Sequence, residues 1–235
     1  MCNMLHFVNS KIMKMSPIEK PESLKSAARN QIKNLLVTGK WESGVLYSAN
    51  TFADILGVSR TPVREALLEL TAEGYLVAHD GKGFRIKDFS EKEVSDFFET
   101  RRMIELYVIE HVVAGLGAKE VQELCDHQRR MRERNSAGDK IAFLDADKAF
   151  HLHLVNCHQN QHLISVMNNI RDLISILGHE AIIREGRSQM VLDEHQAVID
   201  AITRRDGAQA AAAMRTHLEA TEEFIVAQIR LRASA

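Results

Sequence analysis

The sequence predicts a mainly α protein in two parts, an N-terminal winged helix-turn-helix followed by an all-α antiparallel helical bundle. Three observations carry this expectation. The only three prolines are Pro17, Pro21 and Pro62, so nothing after Pro62 interrupts a helix. Two short helical patterns meet at Gly57 and lead into two short strand patterns joined by a glycine-bearing turn. Beyond Asp88 the apolar residues keep helical spacing through six successive segments. A chain of 235 residues with 45% hydrophobic and 26% charged residues has enough apolar content to give each part its own core, which argues against disorder.

Residues 1–20 lack sustained periodicity and read as an N-terminal arm, leaving 21–88 as the first domain. A helix from about Ser23 to Val37 gathers Leu24, Ala28, Ile32, Leu35 and Leu36 on one face, with Gly39 just past its end. A shorter helix spans Ala49 to Leu56 and stops at Gly57. Thr61-Pro62 then restarts the helix, with Thr61 expected as its cap and Pro62 as its first residue, and Val63, Ala66, Leu67 and Leu70 face inward. Tyr75-Leu76-Val77 and Phe84-Arg85-Ile86 flank the turn His79–Gly83, forming the wing. The bundle, 91–231, divides into helices near 91–116, 118–136, 139–157, 160–183, 188–205 and 207–231. Their junctions are Gly115-Leu116-Gly117, Ser136-Ala137-Gly138, Gln159-Asn160, Glu185-Gly186 and Arg205-Asp206-Gly207.

Several classes are disfavoured. No apolar run approaches the roughly 20 residues that span a bilayer, and the start lacks a signal-peptide pattern, so no membrane partner and a cytoplasmic location are expected. Cys2, Cys125 and Cys157 are odd in number and widely spaced, which builds neither a disulfide framework nor a CxxC zinc site. Charge is uneven: +3 over residues 1–88 and −5 over 89–235, making the first domain the better candidate to meet phosphate.

Within Asn50–Leu67, the small Ala53 and the turn residue Gly57 let two helices cross closely, as a helix-turn-helix requires. Arg60 and Arg64 lie four apart at the start of the second helix, on its solvent face. Their forked guanidiniums suit guanine O6/N7 and phosphate alike. Ser59 and Thr61, with the free amides of a helix start, can hold a phosphate. The competing reading is a solvated arginine pair on an unrelated helical hairpin.

In the bundle, Asp147 and His151 are four apart and share a helix face. His195 and His217 stand 11 residues either side of Asp206, which puts them level in an antiparallel hairpin. One aspartate and three histidines suit a divalent transition metal such as Zn, Ni, Mn or Fe better than Ca or Mg. On the residues alone, core-satisfied or surface histidines remain the better account. His153, two residues beyond His151, falls on another side of the helix. A metal-dependent enzyme is a second alternative, but no nucleophile, general base or phosphate loop accompanies the set. A constitutive architectural DNA binder with an empty bundle is a third.

The stretch Gly57-Val58-Ser59-Arg60-Thr61-Pro62-Val63-Arg64-Glu65-Ala66-Leu67, followed by Glu73-Gly74 and the Gly81/Gly83 wing, resembles the GntR family of regulators. The resemblance implies DNA contacts at Arg60, Thr61 and Arg64, with Ser59 and Gly83 beside them. Where that family usually has Ser-x-Arg-Glu, this chain has Ser48-Ala49-Asn50-Thr51, so Asn50 stands in place of a third arginine contact. Asp147-x-x-Phe150-His151, Glu194-His195 and Met214-Arg215-Thr216-His217-Leu218 resemble the FCD effector domain in its six-helix, VanR-like variety. That resemblance implies a metal held by Asp147, His151, His195 and His217. Arg101-x-x-x-Glu105 is similar to an Arg-x-x-x-Glu pattern of that domain, which implies that Arg101 points towards an acidic effector, with Arg102 facing elsewhere. The whole then implies a homodimeric, ligand-responsive regulator, most often a repressor, with a palindromic double-stranded DNA operator and a small carboxylate effector.

Overall fold

A computed structural model of the chain describes residues 22–181 and 187–233. The expected arm over 1–20, Pro21, Cys2 and the Glu185-Gly186 junction lie outside the described residues.

Helix α1 (Leu24–Val37) starts at Ser23, whose Oγ accepts a hydrogen bond from the Ser26 amide at 3.1 Å, and it buries Ala28, Ile32 and Leu36. Helix α2 (Ala49–Leu56) is capped by Ser48, which accepts from the Thr51 amide at 3.1 Å and shares a 3.0 Å hydroxyl bond with Thr51. A glutamate at Thr51 could reach back to the Ser48 amide; threonine is too short, so only half of a capping box forms. Gly57 closes α2 in the left-handed region at φ +65°, and the Val58 amide returns to the Ala53 carbonyl at 3.1 Å.

Helix α3 (Arg60–Ala72) begins earlier than the sequence suggested. Its cap is Ser59, not Thr61, and Pro62 occupies the third helical position. The first four amides of a helix have no intrahelical partner, so proline forfeits no bond there and α3 starts as soon as the Gly57 turn ends. The wing is an antiparallel pair, β1 (Leu76–His79) and β2 (Gly83–Ile86), with Leu76 opposite Ile86 and His79 opposite Gly83. The strands start and end slightly off the expected limits, leaving Asp80-Gly81-Lys82 as the turn. Tyr47 adds a bridge, exchanging two 2.9 Å backbone bonds with Phe84. Ile32, Leu36, Leu67, Leu70 and Phe84 form the core of this head, and Trp41 packs on Phe52 and Tyr47 with ring centroids 4.9 and 5.0 Å away.

The bundle comprises α4 (Glu91–Val112), a 3-10 turn (Val113–Gly115), α5 (Ala118–Ser136), α6 (Lys140–Cys157), α7 (Gln161–Ala181), α8 (Arg187–Thr203) and α9 (Gly207–Ala233). Ser90 and Glu93 form a reciprocal capping box that fixes where α4 leaves the wing. Tight junctions follow α6 and α8, where Gln159 and Arg205 adopt φ of 60° and 63°. Helix α9 packs on α4 and α8, α5 on α6 and α8, and α6 on α4 and α7. Phe98, Ile109, Phe150, Leu154, Val198, Ile202, Met214 and Leu218 are buried between them. No helix among the described residues is long and apolar enough to cross a membrane.

Gly83 is a structural necessity of the wing. Its φ is +129°, and a Cβ there would sit 2.5 Å from the Tyr47 carbonyl oxygen. Gly83→Ala is therefore expected to break the Tyr47–Phe84 bridge and destabilise the head by about 1–3 kcal/mol. The chain's only tryptophan, Trp41, lies in the head, so urea unfolding followed by its fluorescence measures this directly; an unmoved midpoint would contradict the steric account.

Candidate metal centre and nucleic-acid interface

Asn50, Ser59, Arg60, Thr61 and Arg64 are all exposed, clustered at the starts of α2 and α3, while Gly83 is half-buried in the wing. Among the described residues, Arg60 and Arg64 have no ion-pair partner, unlike most basic side chains of the head. Lys25 and Arg29 of α1 are instead held by Glu69 of α3 and by Glu73 just past its end, at 2.5 and 2.6 Å. Lys82, exposed in the wing turn and without an ion-pair partner among the described residues, is a further free cation that the sequence reading passed over.

The second constellation is internal. Asp147 and His151 come from successive turns of α6, His195 from α8 and His217 from α9, and all four are buried. Each offers one ligand atom within 4.8 Å of all the others. His195 Nε2 lies 3.3 Å from His217 Nε2 and 3.5 Å from Asp147 Oδ1, and His151 Nε2 lies 3.8 Å from the same oxygen. Metal–nitrogen bonds of about 2.1 Å in a tetrahedron separate ligand atoms by about 3.4 Å, so little rearrangement is needed.

Carboxylates behind the histidines set their tautomers. Glu105 of α4 accepts from His151 Nδ1 at 2.5 Å, and Glu194 of α8 accepts from His217 Nδ1 at 2.7 Å. Both Nε2 lone pairs are thereby directed to the common point, and His151 Nε2 is buried with no hydrogen-bond partner. His195 has no such carboxylate; its ring stacks on Phe150 at 4.1 Å. The donor set therefore fits a borderline divalent ion on its own geometry.

Cations surround the carboxylates. Arg101 is 0% exposed, and its Nε donates to Glu105 at 2.7 Å. Its Nη1 and Nη2 are buried without a partner. Arg102, one residue on, turns away to pair with Glu222. Arg171 of α7 donates to Asp147 Oδ2, and Arg187 grips Glu194 with two bonds of 2.6 and 2.8 Å. Sequence reasoning did not single out Arg171 or Arg187, and it named Glu194 only as the neighbour of His195 in the FCD-like motif, with no role of its own. Glu105 had a signal in its four-residue spacing from Arg101, but the others reach the centre only through tertiary packing.

Burial sets the protonation states. It pulls His151 and His195 well below the ordinary imidazole value, helped at His151 by Arg101 and Arg171 and at His195 by His217. Burial also brings the Arg101 guanidinium down to about 10, still charged at neutral pH. At Asp147 burial works the other way, yet Arg171 and the imidazoles hold the carboxyl well below the usual range. The centre thus presents neutral imidazoles at His151 and His195 and an ionised carboxylate at Asp147, the forms that bind a metal.

The head and bundle match known families. Residues 24–86 match the model described as bacterial regulatory proteins, gntR family, and residues 96–220 match the FCD domain. An HTH-type transcriptional regulator of Bacillus subtilis strain 168, YdhC, is 25% identical, covering 80% of this chain and 85% of its own. The gluconate operon transcriptional repressor of Bacillus licheniformis is 27% identical over 75% of this chain and 74% of its own. Among solved structures, E. coli McbR/YncC superposes with a TM-score of 0.78 at 18% identity, covering 88% of this chain and 99% of that one.

A pH dependence follows from the buried imidazoles. The unfolded chain takes up protons on His151 and His195 as pH falls below about 6.5, whereas the folded chain does not, so stability is lost from there downward. Asp147, whose folded value is depressed, adds a further loss only once pH falls below about 4. In the presence of a chelator, the unfolding free energy from urea titrations is expected to fall between pH 7.5 and 5.5, by up to roughly 1.4 kcal/mol per pH unit for each histidine. The His151→Gln/His195→Gln variant should show a shallower dependence; identical slopes would mean that these imidazoles are not buried neutral.

Proposed function

The chain belongs to the GntR family of bacterial regulatory proteins and carries an FCD domain, so it is a DNA-binding transcriptional regulator rather than an enzyme, and we propose that it is a metal-containing, acid-responsive repressor acting as a dimer. The observation that carries this reading is the buried convergence of Asp147, His151, His195 and His217, with Glu105 and Glu194 orienting two of the imidazoles. A divalent transition metal on these four ligands would be the sensor's fixed charge, identical in role whether Zn, Ni, Mn or Fe. When bound, it supplies a Lewis-acidic position for an oxygen donor.

A small carboxylate is the effector that fits. Arg101, Arg171 and Arg187 already balance Glu105, Asp147 and Glu194 inside the bundle. A divalent ion adds two positive charges to a place where unbalanced charge is costly. An organic acid offsets them, and Arg101 has two unspent donors to receive a carboxylate in a two-pronged bond. At the other end, Arg60 and Arg64 would read bases, with Ser59, Thr61 and Asn50 against the backbone and Gly83 shaping the wing beside it. Met103 and Tyr107, exposed four residues apart on α4, offer an apolar patch for a twofold partner, and two heads related by a twofold axis call for a palindromic duplex. The repressor sense follows the gluconate operon relative.

Three measurements test this. Purified protein should carry about one transition metal per chain, strongly reduced in the His195→Ala/His217→Ala variant, and small mono-, di- or hydroxy-carboxylates should raise the melting temperature of the metal-loaded protein but not of Arg101→Ala. Full metal content in the double variant, or stabilisation by neutral sugars alone, would defeat the sensor reading. On a duplex selected from a random pool by the wild-type protein, Arg60→Ala is expected to lose about 1–3 kcal/mol, concentrated at one base position. Equal gel-shift affinity of the two proteins at physiological salt would remove Arg60 from the interface.

A further inference from the structure

Beside the metal centre lies a second buried charge cluster that belongs to both domains. Asp172 of α7 is 5% exposed and accepts from Lys33 of α1 at 2.6 Å, from the Tyr75 hydroxyl at 3.4 Å, and from Lys148 of α6. Asn169 donates to the same Tyr75 hydroxyl at 3.2 Å, and Lys33 Nζ sits 4.8 Å from the Tyr75 ring centroid. Burial, with Asp172 next, pushes the Tyr75 phenol up, so it stays a donor. Lys33 and Tyr75 are head residues; Lys148, Asn169 and Asp172 are bundle residues.

The neighbours of this cluster in sequence are the residues of the metal centre. Asp147–Arg171 and Lys148–Asp172 are consecutive ion pairs between the same two helices. Successive helical residues point about 100° apart, so the first pair faces the centre of the bundle and the second faces the head. Asp147 offers Oδ1 to the imidazoles and Oδ2 to Arg171. A divalent cation on Oδ1 draws on the charge that holds Arg171 and repels its guanidinium. Any adjustment of α7 to this is handed to Asp172 within one residue. Asp172 does not part from Lys33 freely, because Lys33 and the Tyr75 hydroxyl are two of the three polar partners of this buried carboxylate and their loss would leave it Lys148 alone.

We propose that Asp172 is the coupling residue through which occupancy of the metal centre sets the position of the DNA-binding head, with Lys33 and Tyr75 as its contacts there. The inference rests on the metal reading above and adds the route by which the ion reaches the head.

The test is hydrogen exchange by mass spectrometry on the full chain, in chelator and with Zn²⁺, following peptides around Lys33 and around Leu70–Leu76. In the wild type, Zn²⁺ is expected to change exchange there by about tenfold, within the usual range of allosteric coupling. Asp172→Asn and Lys33→Met should bind Zn²⁺ at wild-type stoichiometry while the head response shrinks below about twofold. Lys33 is partly exposed, so Lys33→Met decides the matter if Asp172→Asn does not fold. A wild-type head response in the variants, or a silent wild-type head with Zn²⁺ bound, overturns the coupling and leaves the metal centre standing. If Zn²⁺ does not bind, or binds equally to His195→Ala/His217→Ala, the metal reading falls and the coupling falls with it.

Discussion

The bundle is organised around charge that water does not reach. Three guanidiniums, three carboxylates and three imidazoles meet inside a helical core, and none of the charged groups can be left unpaired without a penalty of several kcal/mol. This constraint fixes more than the site. Glu105 must serve Arg101 and His151 together, which ties α4 to α6; Arg171 must stay on Asp147, which ties α7 to α6; Glu194 must serve Arg187 and His217, which ties α8 to α9. Apolar packing alone would tolerate small slides between such helices, since volume-conserving rearrangements in a core cost little. The ion pairs remove that tolerance.

The head distributes its charge by a different logic. Lys25 and Arg29 are used up in binding α1 to α3, so they contribute to the net charge of the domain without being available to phosphate. Arg60 and Arg64 are left at the mouth of the helix-turn-helix, where the left-handed turn at Gly57 delivers the start of α3 with its free amides. Net charge is therefore a poor guide to a nucleic-acid surface: what matters is which cations the fold leaves unneutralised.

Much of the architecture was legible because it depends on local chemistry. Proline placement, the Gly57 turn and helical periodicity suffice for the element order, and Asp147–His151 needs only helix geometry. His195 and His217 were also within reach, since the tight turn at Arg205-Asp206 makes α8 and α9 an antiparallel hairpin with equal arms. The limits appear wherever a partner comes from elsewhere in the chain. Glu194 adjoins His195 in sequence yet bonds to His217, because neighbouring helical residues diverge by about 100°. Arg101 can be placed towards a pocket from its four-residue spacing to Glu105, but its complete burial shows only once the bundle packs around it. The start of α3 was misplaced because proline is most familiar at the first helical position, although any of the first four amides can be missing without loss.

Electroneutrality links these parts. Three guanidiniums already balance three carboxylates in the closed centre, so on the proposed reading a divalent ion and an acidic guest would each favour the binding of the other. That is positive cooperativity by charge compensation, and it is reciprocal: whatever the ion contributes to holding the acid, the acid contributes to holding the ion. The Asp147–Arg171 pair stands at the point where this balance is struck, and its sequence neighbours Lys148 and Asp172 carry the head. On the proposed coupling, a change in the number of charges inside the bundle would thus be presented, one residue away, to the Asp172–Lys33 contact with the DNA-binding head.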